Sequence, residues 1–314
     1  MAVTRSLLPW LALGLALIVA PFFVYPVLLM KVLCFALFAC AFNLLLGYVG
    51  LLSFGHAAFF GFAAYVSAHA LKVWELGPLQ AVALGTLTAG VLGLGFGWLA
   101  IRRQGIYFAM VTLALAQMIY FLCLQAAFTH GEDGIQAVPR PPVFGLIDVS
   151  DPGRLYWLVL ALTVLGFLVI ARAIHSPFGQ VLTAIRENEP RAISLGYDVD
   201  RHKLVAFVLS AALAGFAGAI KVMVFQLASL TDVHWHMSGE VVLMTLIGGV
   251  GTLAGPLVGA AVVVGIQNVF ASFGAWVTII QGGIFVACVL LFRRGIMGEI
   301  AAWRQRKPPD APAE

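Results

Sequence analysis

Long apolar runs separated by short polar punctuation fill this chain. Runs near 7–20, 28–47, 53–73, 79–101, 106–128, 155–173, 203–227, 238–251, 255–272 and 275–292 each read as a helical span. Most approach the roughly 20 apolar residues that carry a helix across a bilayer core. Eight to ten spans are expected. The first is short, and the third and eighth contain or border glycine clusters. The fold class implied is all-α: an integral membrane protein, a polytopic helical bundle with broken or re-entrant glycine-rich segments. A single transmembrane domain is expected over 1–298, with a polar, disordered cytoplasmic tail over 299–314. Met1 to Ala20 has the look of a signal peptide, with Arg5 ahead of an apolar core. No small-x-small cleavage site follows, so an uncleaved first span is expected.

Composition agrees with the pattern. Hydrophobic residues make up 62% and charged residues 10%, and the mean hydropathy is +1.01, which excludes an ordinary soluble domain. The 33 glycines and 14 prolines suit membrane helices, where small residues permit close packing and breaks can line cavities. A net charge of +4 would suggest an acidic partner if the bases clustered on one soluble face. Here they follow topology instead, and nucleic-acid binding is not implied. Arg102 and Arg103, the stretch with Arg172, Arg186, Arg191, Arg201 and Lys203, and the tail with Arg293, Arg294, Arg304, Arg306 and Lys307 are predicted cytoplasmic. The 129–154 segment holds Glu132, Asp133, Asp148 and Asp151 against Arg140 and Arg154, and is predicted external. Alternation through ten spans then places both termini inside. Lys31, Lys72 and Lys221 fit this less well and are expected to snorkel to an interface. Cys34, Cys40, Cys123 and Cys288 lie inside apolar runs with no CxxC or His cluster, and read as buried packing groups.

One charged stretch interrupts the middle of the chain, RENEPRAISLGYDVDRHK from Arg186 to Lys203. Just before it, Ser176-Pro177 is a helix start, with serine as N-cap and proline in the first turn. Val181, Leu182 and Ile185 share one face of the short helix that follows, with Arg186 and Glu187 off that face. Glu189-Pro190 starts a second short helix, which Gly196 can end and to which Ala192 and Leu195 give a small apolar face. A topological loop needs only charge. Two capped helices with apolar faces are a unit that can dock into a partner's groove.

The SFGHAAFFG stretch from Ser53 to Gly61 sets a hydroxyl, an imidazole and glycines inside apolar sequence. Polar atoms in hydrocarbon need partners, so they face the bundle interior or a wet cavity. Ser53, Gly55 and His56 could line a translocation path at a broken helix, or simply bond the backbone groups the break frees. A metal role for His56 lacks a second ligand at useful spacing. Asn43, Thr112, Gln117, Ser210, Gln226, Thr245, Gln267 and Asn268 are further intramembrane polar residues. Most read as interhelical hydrogen-bonding groups of about 0.6–2 kcal/mol each; Asn43, Thr112, Gln117 and Ser210 are also path candidates, with Gly248 and Gly249. Glu240 is an acid at the outer end of a span, either a path residue or a snorkelling interface acid. THGEDG at Thr129 to Gly134 offers Glu132, Asp133 and Gly134 outside, for a binding protein, a gate or plain solvation. A faint echo links VGLLSFG (Val49 to Gly55) with VGTLAG (Val250 to Gly255); transporters often contain such repeats, although glycine-rich membrane sequence also repeats by chance.

Three segments carry a resemblance. FNLLLGYVGLLSFGHAAFFGFAAY, AIRENEPRAISLGYDVDRHKLVAFVLSAALAGFAGAI and LIGGVGTLAGPLVGA followed by LLFRRGIMG are similar, in order, to permease subunits of branched-chain amino acid ABC importers, the LivM-type group. THGEDGIQAVPRP resembles the group's external loop. The likeness covers roughly residues 28–298. It implies that the 173–203 loop is a coupling loop whose helix sits in a cleft of an ATPase subunit, with Arg186, Glu187, Asn188, Glu189, Ala192, Leu195 and Gly196 in that element. Where the group often has Ala-x-Ala-Leu-Gly, this chain has Ala192, Ile193, Ser194, Leu195 and Gly196. The implied partners are two ATPase subunits, a related second permease in a heterodimer, an external solute-binding protein and membrane lipid. ATP would be bound by those partners and no cofactor by this chain, which has no GxxxxGK[ST] loop. The implied location is the cell inner membrane, multi-pass. The rival is a stand-alone ion-coupled secondary transporter, a class that usually keeps ionisable groups deep in the membrane; no acid lies in the middle of a predicted span. A membrane enzyme would need HExxH, GxSxG or paired acids at one depth, and none is present.

Overall fold

Proline opens six of the twelve α-helices among the described residues, where its missing N–H costs nothing. The computed structural model describes residue 14 and residues 16–143, 145, 148–271, 274, 276–291 and 295–299. Helix α1 spans Pro26–Asn43 and unwinds into a π-helical turn, Leu44–Val49. After an extended break come α2 (His56–Lys72), α3 (Pro78–Ala100) and α4 (Ile106–Gln125). The polar 126–151 loop leads to α5 (Pro152–Ile174). Two short helices follow, α6 (Pro177–Glu187) and α7 (Glu189–Ser194). Then come α8 (Val199–Phe225), the single turn α9 (Leu230–Val233), α10 (Trp235–Gly248), α11 (Gly255–Val269) and α12 (Trp276–Leu291). Among the described residues the β contact is one isolated bridge, Ile135 to Ala228.

Every predicted span from 28–47 onward lands on a helix. Five segments, Pro26–Val49, Pro78–Ala100, Ile106–Gln125, Pro152–Ile174 and Val199–Phe225, are long and apolar enough to cross a bilayer. The other four, α2, α10, α11 and α12, run only 14 to 17 residues, because breaks at both ends of the α2 and α10 segments shorten them. The first span and the tail from 300, with Arg293 and Arg294, lie outside the described residues, apart from a helical 16–19 and a 3-10 turn at Ala20–Phe22.

Helices α1 and α8 form the axis of the bundle and are buried on nearly all sides; α2 and α3 pack along α8. Peripheral helices turn large apolar residues outward, such as Leu87, Val91 and Leu94 of α3, Met110 and Phe121 of α4, and Leu165 and Leu168 of α5. In a bilayer that exposure is contact with lipid and needs no covering. Cys34, Cys40 and Cys123 are buried and unpaired, as expected of packing groups; the Cys288 side chain lies outside the description.

Burial between helices that share a lipid solvent gains little from the hydrophobic effect, so close backbone approach holds them together. Gly218 of α8 shows this: a Cβ there would overlap the Phe60 carbonyl of α2. Gly95 of α3 has open space around it. Gly218→Leu should therefore part α8 from α2 and lower the melting temperature in detergent by several degrees, with overpacking costing about 1–3 kcal/mol. Gly95→Leu should leave it unchanged. Equal melting of the two variants would contradict this packing.

Candidate functional site

The polar residues gather in three places. At the basic end, α6 and α7 form the two capped helices read from the sequence. Ser176 Oγ accepts from Gly179 N at 3.4 Å and Asn188 Oδ1 from Arg191 N at 3.1 Å. Gly196 takes φ +87°, and its N–H donates to Ile193 O while Tyr197 N donates to Ala192 O. This is the paired-bond C-terminus that a left-handed glycine permits.

The apolar face is divided differently from the expectation. Ala192 is buried with Ile185 and Val199 inside the chain's own fold, so it cannot enter a partner's cleft. Leu195 is 67% exposed and its neighbour Ile193 57%; these two, with Tyr197, form the outward apolar knuckle. The reason is register: on a six-residue helix, Ala192 faces α6 and α8, and Ile193 turns away. Glu187 stays exposed. Glu189 is not a free rim charge, because Lys203 Nζ donates to it at 2.7 Å. Arg186 leaves the rim as well. Its guanidinium donates to the Gly47 carbonyl in the π-turn after α1, and its side chain lies against Gly50 and Gly251.

That contact joins the basic end to both helix breaks. Asn43, the last residue of α1, donates to Thr252 O at 2.9 Å and accepts from Gly251 N at 3.0 Å. The two stretches of the internal echo, after α1 and after α10, are therefore neighbours clamped by Asn43 and Arg186. Gly248 and Gly249 close α10 here: a Cβ on Gly248 would strike Gly255 O, and Gly249 has φ +120°. They are joint residues, packed against α11.

The second cluster surrounds the start of α2. Thr112 Oγ1 accepts from Phe54 N at 3.2 Å, Ser53 Oγ from Gly55 N at 3.1 Å and Ser238 Oγ from Ala57 N at 2.9 Å. Three hydroxyls thus satisfy two amides of the break before α2 and one in the first turn of a helix that begins inside the bundle. Gly55 sits against the Thr112 carbonyl. His56 is fully buried; its Nε2 lies 2.8 Å from Ser210 Oγ, which donates its one hydrogen to Ala41 O at 2.6 Å. The imidazole must then donate through Nε2–H. Its Nδ1 has no hydrogen-bond partner among the described residues, and Phe42, Phe59 and Phe207 ring it edge-on. In this stretch Ser53 thus bonds a freed backbone amide and His56 bonds the Ser210 side chain.

The third place is the acidic end. The 126–151 loop is tied down rather than loose. Arg140 donates to the carbonyls of Met223 and Val224 at the end of α8, at 2.8 and 2.7 Å, and Gln226 donates to Val138 O. Gly134 takes φ +66° with no room for a Cβ beside Ala228 O, so it shapes the bridge. Glu132 and Asp133 remain exposed. The Ser150 backbone amide, bonded to Asp148, holds that carboxyl below the usual carboxylate range. Lys72 donates to Gln136 O from an exposed position, in keeping with an interface lysine. Lys221 does not snorkel. Its side chain is 11% exposed and bonds both oxygens of the buried Asp232 at 2.5 Å. A lysine in an apolar run followed eleven residues later by an aspartate was the signal for this pair.

Glu240 stands on α10 beside a recess lined by Tyr120, Leu230, His234, His236 and Met237, and accepts from Gln267 Nε2 at 3.3 Å. Gln117 is partly exposed one turn before Tyr120 on α4. Thr245 bonds the Val241 carbonyl of its own helix at 2.8 Å.

The sequence of this chain matches a known family. A profile described as the permease component of branched-chain amino acid transport systems covers residues 26–290. The chain belongs to that permease family. The LivM permease proteins of high-affinity branched-chain amino acid transport systems in Salmonella typhimurium and Escherichia coli are each 29% identical over 278 residues, 81% of this chain. That alignment spans 65% of each relative's length, a little under two thirds. The LivH permease of Escherichia coli K12 is 22% identical over 84% of this chain and 91% of its own. An L-arabinose ABC transporter permease, AraH of Azospirillum brasilense, is 30% identical over 67% of this chain and 62% of its own. No solved structure matches. The family is one of transport permeases, and the chain is a multi-pass membrane protein.

The buried ion pair gives the sharpest stability test of this family member's acidic end. Asp232→Ala strands an ammonium in a dry site and should cost about 3–5 kcal/mol, whereas replacing both partners with apolar residues, Lys221→Met with Asp232→Leu, should recover most of it. Melting of the detergent-solubilised variants measures this. A double variant as unstable as the single one would show that the charges are needed for more than each other.

Proposed function

We propose that this chain is the membrane subunit of an ATP-binding-cassette importer in the cell inner membrane, forming the path for an amino acid or similar small polar solute. The observation that carries the reading is the α6–α7 unit. It offers an exposed Ile193–Leu195 knuckle to a partner, and Arg186 ties the same unit to the two breaks in the membrane helices. Two ATPase subunits would hold and hydrolyse ATP at the basic end. A related second permease would complete the path, since the relatives include both LivM and LivH proteins, and a solute-binding protein would dock on the acidic end near Glu132 and Asp133. This orientation puts the α6–α7 loop and both termini in the cytoplasm.

In this mechanism, ATPase closure moves the knuckle and with it α6. Arg186 then pulls on Gly47 and Gly251 together, so the α1–α2 and α10–α11 breaks shift as one. Two arrangements of those breaks would expose the path alternately to either side. Small motions at such a joint are amplified because packed helices step between discrete arrangements.

Leu195→Asp puts a charge into the docking contact and should cost about 2–4 kcal/mol of ATPase binding, seen as ATPases lost on co-purification. Arg186→Ala leaves the knuckle intact, so ATPases should co-purify and hydrolyse ATP while solute uptake falls about tenfold or more. Arg201→Gln removes an exposed pair with Asp198 (2.9 Å) and should cost about 0–1 kcal/mol. Normal uptake by Leu195→Asp with its ATPases retained would reduce the unit to a solvated loop. Gradient-driven uptake by the purified single chain would favour the secondary-transporter reading instead.

Cysteine labelling in sealed cells checks the orientation. Asp133→Cys should react with a membrane-impermeant maleimide from outside, and Leu195→Cys only after permeabilisation. The reverse pattern would invert the assignment.

A further inference from the structure

A groove of about 620 Å3 runs along the outer side of α3. Leu87, Val91 and Leu94 of α3 line it together with Leu162 of α5 and with Val208 and Ala212 of α8. Gly90 deepens it: a Cβ there would meet only Ala212 Cβ, at an ordinary 3.6 Å. The Thr86 hydroxyl in the groove already donates to Val82 O at 2.8 Å. A polar solute would thus find no free hydrogen-bonding side chain here. A hydrocarbon chain would meet contact from three helices.

The same face of α3 leads on toward the basic end. Leu87, Val91, Leu94 and Trp98 recur at helical spacing, and each is more than half exposed. Arg102, four residues past Trp98, lies over the indole with its guanidinium 5.3 Å from the ring centre, which holds the charge above this face. Arg103 is exposed beside it. No Asp or Glu occurs between Glu75 and Glu132, and among the described residues no carboxylate pairs with either arginine. Length then fixes the size of an occupant. Leu87 to Arg102 is fifteen residues, about 22 Å at 1.5 Å per residue. Half of a bilayer with its headgroups is about 20–22 Å. A lipid whose acyl chain lies on Leu87, Val91 and Leu94 therefore brings its phosphate to Arg102.

We propose that this groove is a binding site for one anionic phospholipid, in the leaflet at the basic end, with an acyl chain between α3, α5 and α8 and the phosphate on Arg102 and Arg103. Lipid covers every outward face of the bundle, but here depth, a ring-held guanidinium and the lack of nearby acids on α3 and α4 coincide. Two guanidiniums suit a headgroup of net negative charge better than a zwitterionic one, whose own cation they repel. This assignment is independent of the importer reading above.

Native mass spectrometry of the purified chain in mild detergent counts bound lipids directly. The probes are phosphatidylglycerol and phosphatidylcholine with the same acyl chains. The wild-type chain should take up one phosphatidylglycerol roughly twentyfold more tightly than phosphatidylcholine, because each interfacial arginine is worth about fivefold in affinity. Arg102→Gln with Arg103→Gln should erase that preference and leave phosphatidylcholine binding as it was. Both side chains are exposed, so the fold is not at stake. Arg191→Gln removes one exposed charge from α7, outside the groove, and should change neither affinity. Gly90→Leu sends its side chain into the groove and should weaken both lipids. Gly95→Leu, in open space on the same helix, should weaken neither, and melting without lipid checks that both variants fold. Equal affinity for the two lipids in the wild type, or a preference that survives loss of both arginines, would overturn the site. Undiminished lipid binding by folded Gly90→Leu would also overturn it, by placing the acyl chain elsewhere. So would a dimer of the purified chain that Gly90→Leu dissociates, because a second copy would then fill the groove.

Discussion

A backbone amide inside hydrocarbon must find its partner in the protein, because no water is there to supply one. Much of this structure follows from that requirement at two interruptions. The segment after α1 stops being helical near Gly50, and α2 begins again at His56 inside the bundle. The free N–H groups of the break and of the first turn of α2 bond to hydroxyls from Ser53, Thr112 and Ser238, which are drawn from three parts of the chain. The α10–α11 break is held by Asn43 in the same way. Each interruption is thus stitched to helices far away in sequence, and neither can move alone.

This explains why the helices were legible in the sequence and their joints were not. Apolar length and proline position are local, and apart from the single turn α9 they placed α1 to α12 within a few residues. Ser176, Asn188 and Gly196 were readable for the same reason, since a cap acts within one turn of itself. The partners of Asn43, Thr112 and Ser210 are set by packing of residues 58 to 209 positions apart, and no periodicity carries that information. Ala192 and Leu195 fall between these cases. Both are apolar positions on a capped helix, but which one faces inward depends on where Ile185 and Val199 lie. Arg186 lies off the apolar face of α6, as the spacing predicts, and is exposed. Only the Gly47 carbonyl, left over by the π-turn, makes it a structural arm.

Charge in the bundle follows a rule of pairing. Lys221 meets Asp232, Lys203 meets Glu189, and Arg140 caps the end of α8. These groups carry one sign each but are neutralised or bonded within the protein, so they fix elements relative to one another. Glu240 is paired more loosely. Among the described residues its hydrogen-bond donor is the neutral amide of Gln267 at 3.3 Å, a weak partner for a carboxylate, and the Lys31 charge acts on it through space.

The two ends of the molecule are linked by the shape of α10. Its first turn carries His234 and His236 at the acidic-end recess, and its last residue, Gly248, packs against Gly255 at the joint that Arg186 holds. At about 1.5 Å per residue, a fourteen-residue helix is roughly 21 Å long, shorter than the hydrocarbon core. In the proposed importer, a short rigid rod with a recess at one end and a clamped glycine joint at the other would transmit displacement along its axis without needing to bend. A full-length span anchored at both interfaces could not shift this way without dragging polar ends into lipid. In the proposed importer, the break that shortens α10 is the feature that would let one helix report between the two ends.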